Sequence, residues 1–227
     1  MASPEIERMM RDIERETRLT APITGIIELS PEVLRVMRLV PRHEFVPKES
    51  RVLAYANRPA EIGYGQTISQ PYIVALMTSL LELRPHHVVL EIGTGSAYQT
   101  AILTQLSSRV YSMEVIEPLL RAGTERLSRL GYTNVETRLG DGYLGWPEHA
   151  PYDGIIVTAA AEHIPLALVD QLVAGGTLVI PVANSGWGQD LMCVCKHAPD
   201  NIQVKKIIAV SFVPLTGDAH NLPFKYQ

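Results

Sequence analysis

A chain of 227 residues, 46% hydrophobic and 19% charged, has the size and composition of one globular unit. It can bury about 70% of its unfolded surface without a disulfide or metal staple. A formal charge of −4 and a pI near 6.0 exclude a broad basic surface, and with it nucleic acid as the main partner. No apolar run is long enough to span a bilayer, and the charged N-terminus has no signal-type apolar core. The expectation is therefore no membrane partner and a cytoplasmic location.

Ser3-Pro4-Glu5 carries helix-start signals: a capping hydroxyl, a proline in the first turn, and an acid at the positive end. Ile6, Met10 and Ile13 follow at helical spacing, with Glu7/Arg11 and Glu14/Arg18 as i,i+4 pairs on the outer side. Residues 20–29, carrying Pro22 and Gly25, read as a connector. A second helix starts at Ser30-Pro31-Glu32, sets Val33, Met37 and Val40 on one side, and stops before Pro41. Val40 to Pro47 reads as extended, with His43 as a structural or surface residue. The apolar faces of these two helices are either core or a dimer contact; a monomer is expected and a dimer is the alternative. Residues 1–50 thus form a helical extension packed on a main unit of residues 51–227.

Residues 51–71 read as a long loop, and a loop this long inside a compact unit is usually functional. Its second half, Gly63 to Pro71, is rich in glycines, hydroxyls and amides, which suits hydrogen bonding rather than core. Ser69 or Gln70 would cap the helix that follows from Tyr72 to Leu83. From Val88 the pattern alternates. Val88-Val89-Leu90 reads as a buried strand running into Glu91, then the turn Gly93-Thr94-Gly95, then a helix from about Ser96. Further strands are expected at Arg109–Met113, Val135–Leu139, Tyr152–Thr158 and Thr177–Val182, with helices over 117–130 and 164–172. Residues 191–196 and 205–213 look like a final antiparallel pair. Such alternation makes a doubly wound, mostly parallel sheet. Cys193 and Cys195, two apart on a strand, share a face and point the same way, so a mutual disulfide is not expected.

In such sheets ligands sit beyond the carboxyl ends of the strands, where strand order reverses. The residues at those ends are Glu91, Glu114 and Asp141. Glu114 lies 21 residues past Gly93, the spacing at which a carboxylate meets ribose hydroxyls, a rule that serves NAD equally. Two features favour a different nucleoside. Tyr98 occupies the third position of G-x-G-x-x-G, where a dinucleotide fold wants glycine or alanine. Glu91 would also set a like charge against a pyrophosphate. A cationic, phosphate-free cofactor such as S-adenosyl-L-methionine suits the loop better. Strand-terminal acids can also serve only to cap the next helix.

The segments GYGQTISQP (Gly63 to Pro71), VLEIGTGS, GDGYLGWPEHAPYDGIIVTAA, GGTLVIPV and FVPLTG, with VPRHEFVP before them, together resemble the protein-L-isoaspartate O-methyltransferase family. The likeness runs in consistent order from about Val33 to Gly217, and GQTISQP is specific to that family. It implies a Rossmann-like class I methyltransferase fold with a seven-stranded sheet, and S-adenosyl-L-methionine as cofactor. The implied reaction is methyl transfer to the free α-carboxylate of L-isoaspartyl residues in damaged proteins and peptides. The ester then closes to a succinimide, part of which hydrolyses to normal aspartate. Carried over residue by residue, the functional serine is Ser69. Thr67, Glu91, Gly93, Gly95, Ser96, Glu114, Asp141, Gly142 and Thr216 are the expected cofactor positions. Gln66, Ile68, Ser69, Val213, Pro214 and Leu215 are expected to meet substrate, the last three by strand-like hydrogen bonding. No metal is implied. Ala97 departs from the pattern, since the family commonly has a third glycine there, and residues 17–30 are longer than the pattern.

The reaction joins a carboxylate to a sulfonium and gives two neutral products, so charge disappears at the transition state. The acceptor is already ionised at neutral pH and needs no strong base. Proximity, alignment and exclusion of water should carry the rate, with Ser69 orienting a carboxylate oxygen rather than attacking. An NAD-dependent oxidoreductase and a non-catalytic nucleotide-binding module are the rival readings. The 87 residues before the first strand of the sheet, with Tyr98, disfavour the former, and the intact GQTISQP loop disfavours the latter.

Overall fold

Capping signals at Ser3 and Ser30 are used as written. In the computed structural model, which describes residues 3–217, Ser3 Oγ accepts the Ile6 N–H and opens helix α1 (Pro4–Thr24). Ser30 Oγ accepts the Val33 N–H and opens α2 (Pro31–Leu39). The helix α1 runs through Pro22 and ends at Gly25, whose left-handed backbone (φ 73°) donates to Ala21 O at 2.9 Å. The expected connector over residues 20–29 is thus half helix. It is held there by the Thr20–Tyr72 hydroxyl pair at 2.5 Å and by burial of Thr24. The expected Glu7/Arg11 pair gives way to a contact between Glu7 and Arg38 of α2 at 3.4 Å.

Two further expectations change. Val40 to Pro47 is not simply extended, because Arg42–Phe45 forms a single 3₁₀ turn that buries Arg42 and Phe45. Within the expected loop lies a hairpin, β1 (Ala60–Gly63) and β2 (Gln66–Ile68), turned at Tyr64 and Gly65, both with positive φ. Helix α3 (Pro71–Leu80) follows. Neither Ser69 nor Gln70 caps it by side chain; the Asn57 carboxamide oxygen accepts the Tyr72 N–H at 3.0 Å instead.

The strands and helices that follow are β3 (Val88–Ile92), α4 (Tyr98–Thr104), β4 (Arg109–Glu114), α5 (Glu117–Arg129), β5 (Val135–Leu139), β6 (Tyr152–Val157), α6 (Leu166–Asp170), β7 (Leu172–Ala183), β8 (Gln189–Ala198) and β9 (Asn201–Val210). The sheet order is β5-β4-β3-β6-β7-β8-β9, with every neighbour parallel except that β8 is antiparallel to both of its own. This is the expected mostly parallel, seven-stranded α/β fold. Helix α6 is shorter than expected, because Leu172 to Ala174 already belong to β7.

One sheet face packs against α1 to α4, where Met10, Ile13, Val36, Met37, Leu76 and Ile102 meet Val89, Ile156 and Val179. The apolar faces of the first two helices therefore turn into the core shared with the sheet. The other face is covered by α6 and by two 3₁₀ turns, Gly142–Leu144 and Pro147–His149, that replace a crossover helix between β5 and β6. Trp146 and Tyr152 fill that space. Cys193 and Cys195 lie 4.0 Å apart as free thiols, and burial pushes the Cys193 thiol up to about 12. None of the described helices is long and apolar enough to cross a membrane.

Candidate active site

The chain leaves β3 towards β4 and β5 on one side, then returns to β6 on the other side of β3. The crevice this reversal opens holds a pocket lined by the ends of β3, β4 and β6 and by the stretches on either side of them. Its floor is the turn after β3. Gly93 (φ 98°) and Gly95 (φ 51°) have positive φ, as a turn there needs. At Gly93 a Cβ would stand 2.3 Å from Thr158 Oγ1, so only glycine fits. Thr158, just past β6, donates to Gly93 O at 2.8 Å and fixes the two sides of the crevice to each other. Ala97 carries φ 68° without being glycine, and its N–H donates to Thr94 O at 2.7 Å. Helix α4 begins just after it, two residues beyond the expected Ser96.

Glu114 closes the rim. Its Oε1 accepts the N–H groups of Val115 and Ile116 at 3.0 Å each, and its Oε2 accepts that of Gly95 at 2.8 Å. A carboxylate oxygen has two lone pairs, so Oε2 keeps capacity for a further donor in the cavity.

Glu91 and Asp141 stand behind the wall rather than on it. Glu91 has no exposed surface; its Oε2 accepts the hydroxyls of Thr100 and Ser112, and Ser112 in turn meets Thr94 Oγ1 at 2.6 Å. Burial pushes its carboxyl up to about 8, so at neutral pH it is mostly protonated. Contrary to the expectation from the sequence, Glu91 therefore sets no like charge against a pyrophosphate, and the acid on the cavity wall is Glu114. Asp141 accepts the Tyr143 N–H at 2.9 Å and lies against Gly217, where a Cβ would meet it at 2.2 Å. Gly142 is packed as tightly on Ile92, at 2.2 Å for a Cβ.

The roof comes from the two stretches that flank the fold. Gln66, Thr67, Ile68 and Ser69 line the cavity from the hairpin side, and Val213, Pro214, Leu215 and Thr216 from the segment after β9. A second, wider groove adjoins it, walled by Pro59, Gln70, Ile73, Val210, Ser211 and Phe212. Thr67, Ser69, Thr158 and Val213 wall both spaces. The Ser69 hydroxyl makes no hydrogen bond within the described chain, leaving it available at that junction.

The segment after β9 is held on both sides. Val213 O accepts the Ala160 N–H, and the Leu215 N–H donates to Ala160 O, each at 2.8 Å. The Gln189 amide takes both backbone groups of Phe212, donating to its carbonyl at 3.0 Å and accepting its N–H at 2.6 Å. Val213 O and the Leu215 N–H, two of the strand-like groups expected to meet substrate, are therefore engaged by Ala160.

Sequence reasoning missed Thr158, Thr94, Gln99 and Met113 on the cavity wall, and Asn57 and Gln189 behind it. Thr158 had a readable signal, a polar residue ending an apolar strand. Asn57 and Gln189 act across long sequence separations and had none. Among the described residues, no group of three or more His, Cys, Asp or Glu is gathered as a metal ion would need.

With this geometry in place, comparison with known proteins is direct. A family model described as Protein-L-isoaspartate(D-aspartate) O-methyltransferase (PCMT) matches residues 2–220. Protein-L-isoaspartate O-methyltransferase 2 of Syntrophobacter fumaroxidans is 55% identical over 210 residues, covering 92% of this chain and 85% of that protein. A solved protein-L-isoaspartate O-methyltransferase superposes with a TM-score of 0.78 at 25% identity, over 93% of this chain; the chain spans 66% of that longer protein. A second solved structure, a putative protein-L-isoaspartate O-methyltransferase from Plasmodium falciparum in complex with S-adenosyl-L-homocysteine, gives a TM-score of 0.76 at 25% identity. It covers 92% of this chain and 97% of that one. The chain belongs to the protein-L-isoaspartate(D-aspartate) O-methyltransferase family.

Proposed function

We propose that this chain transfers a methyl group from S-adenosyl-L-methionine to the free α-carboxylate of L-isoaspartyl residues in proteins and peptides, starting their repair. The observation that carries the reading is that Ser69, the serine of the GQTISQP loop, stands on the wall shared by the cavity at the strand ends and a wider groove. The cavity residues fit a phosphate-free nucleoside donor. The spare acceptor capacity of Glu114 Oε2 suits a ribose hydroxyl, and the relative bound to S-adenosyl-L-homocysteine supports the same class of ligand. Gly93, Gly95 and Ser96 would hold the amino-acid part, with Thr67 and Thr216 closing over it, Gly142 on the wall and Asp141 shaping the rim from behind.

The donor supplies an electrophilic methyl group: as a carboxylate oxygen bonds to its carbon, the carbon–sulfur bond breaks and the electron pair stays on sulfur. The chain's part is to place and to dry. Ser69 Oγ donates a hydrogen bond to one carboxylate oxygen and leaves the other aimed at the cavity. Ile62, Ile68 and Leu215 keep water from the junction. Because the charges cancel as the bond forms, a low-polarity junction favours the transition state, and no proton needs to move. Gln66, Ile68 and Val213 to Leu215 guide the acceptor backbone. We place this activity in the cytoplasm, with the two free thiols as support.

Transfer of labelled methyl groups to an isoaspartyl peptide, beside the same peptide with normal aspartate, tests the reading. Labelling of the isoaspartyl form alone is expected, and labelling of neither overturns it.

A further inference from the structure

Arg42 is the largest side chain with no exposed surface among the described residues. Its Nε donates to Ala54 O and its Nη2 to Ser69 O, both at 2.7 Å, and its guanidinium carbon lies 4.7 Å from the centre of the Tyr98 ring. Its remaining terminal nitrogen, Nη1, is buried without a hydrogen bond. Its surroundings are two carbonyls and two tyrosines, Tyr98 and Tyr55, and no Asp or Glu pairs with it among the described residues. Arginine stays protonated in proteins, and buried charges are nearly always paired. Burial without an acid is costly, and here it disfavours the charged form. Yet the cation is set directly behind the backbone of Ser69.

Resting on the reading of Ser69 as the residue that holds the acceptor, we infer that Arg42 determines specificity by presenting a fixed positive charge behind the acceptor loop, with the isoaspartyl α-carboxylate as its counter-charge. An anion hydrogen-bonded to Ser69 Oγ would lie just across the Ser69 backbone from the guanidinium, whose Nη2 is 2.7 Å from Ser69 O. Two unit charges on the order of 10 Å apart at an effective dielectric near 20 attract by the equivalent of roughly a tenfold change in affinity. The same charge gives nothing to a neutral amide and nothing to the methyl ester once it forms. It therefore selects the ionised acceptor and releases the product.

The test compares binding of two peptides that differ only at the isoaspartyl α-position, carboxylate against carboxamide. Calorimetry is done on the protein saturated with S-adenosyl-L-homocysteine. Wild type is expected to prefer the carboxylate by about tenfold or more, Arg42→Met to lose most of that preference, and Arg42→Lys to keep it within about threefold. Affinity for S-adenosyl-L-homocysteine should stay within about twofold in both variants, which a general loosening of the fold would not allow. If Arg42→Lys loses the preference as fully as Arg42→Met, or if neither variant changes it, the inference is overturned. Should Arg42→Met not fold, Arg42→Gln, neutral but still a hydrogen-bond donor, takes its place in the comparison with the same expected loss and the same overturning results. A wild type that methylates no isoaspartyl peptide defeats the functional reading instead, and the methylation assay reports that separately.

Discussion

Glu114 and Gly95 are joined by a hydrogen bond of 2.8 Å from the Gly95 N–H to the Glu114 carboxylate, so the end of β4 holds the turn that follows β3. The same carboxylate caps Val115 and Ile116, and three backbone donors depend on it. Glu114→Ala is expected to weaken binding of S-adenosyl-L-homocysteine by about 1–3 kcal/mol, the range for losing a partner to a charged or buried group. It should also lower the melting temperature. Calorimetry finding the same affinity in the variant would take Glu114 out of the donor site.

Ser69→Ala separates placement from folding. Because the hydroxyl has no partner within the described chain, its loss should leave stability within about 0.5 kcal/mol of wild type. Donor affinity should also hold. Turnover of an isoaspartyl peptide should fall by about 10–150-fold, the equivalent of a hydrogen bond to a charged group. Unchanged methylation by the variant would remove Ser69 from its role.

Glu91 gives stability a pH dependence of unusual sign. Its carboxyl is raised from 4.5 to about 8 by burial, so between those values the folded chain holds a proton that the unfolded chain has released. Its contribution is fully present below about pH 4.5, falls as pH rises, and levels off above about pH 8. Glu91→Gln, neutral throughout, should flatten that slope and match or exceed wild-type stability near pH 8. Denaturant melts at several pH values measure this. An unaltered slope would mean that Glu91 is ionised in the fold.

Asn57→Ala removes the side chain that caps α3 from 15 residues upstream. A cost of about 1 kcal/mol is expected, or roughly 2–4 °C in melting temperature for a chain of this size. Since α3 starts two residues after Ser69, the KM for peptide should rise more than the donor's dissociation constant. Equal melting curves would show that the cap is dispensable.

The strands were legible wherever a β-branched run ended in a glycine or an acid, and Val88–Ile92, Arg109–Glu114 and Val135–Leu139 fall where their patterns place them. Local signals failed where tertiary contacts decide. Pro22 reads as a helix breaker, but the Thr20–Tyr72 contact and the Gly25 cap carry α1 past it. The two-residue turn Tyr64-Gly65 lacks the usual asparagine or aspartate, so the hairpin over the site reads as loop. For the site, residue types at the strand ends located the cavity but not which acid faces it. Glu91 and Glu114 look alike in sequence. What separates them is tertiary: Glu91 meets two hydroxyls behind the wall, whereas Glu114 lines the cavity and takes three backbone N–H groups.

The amide of Gln189 acts as a stand-in strand for Phe212, after β9 has stopped pairing. The acceptor groove is thus aligned from β8, whereas the turn that faces the donor is aligned from β3, β4 and β6. A change at Gln189 would therefore shift Phe212 and the wider groove it walls without touching the turn beneath the cavity.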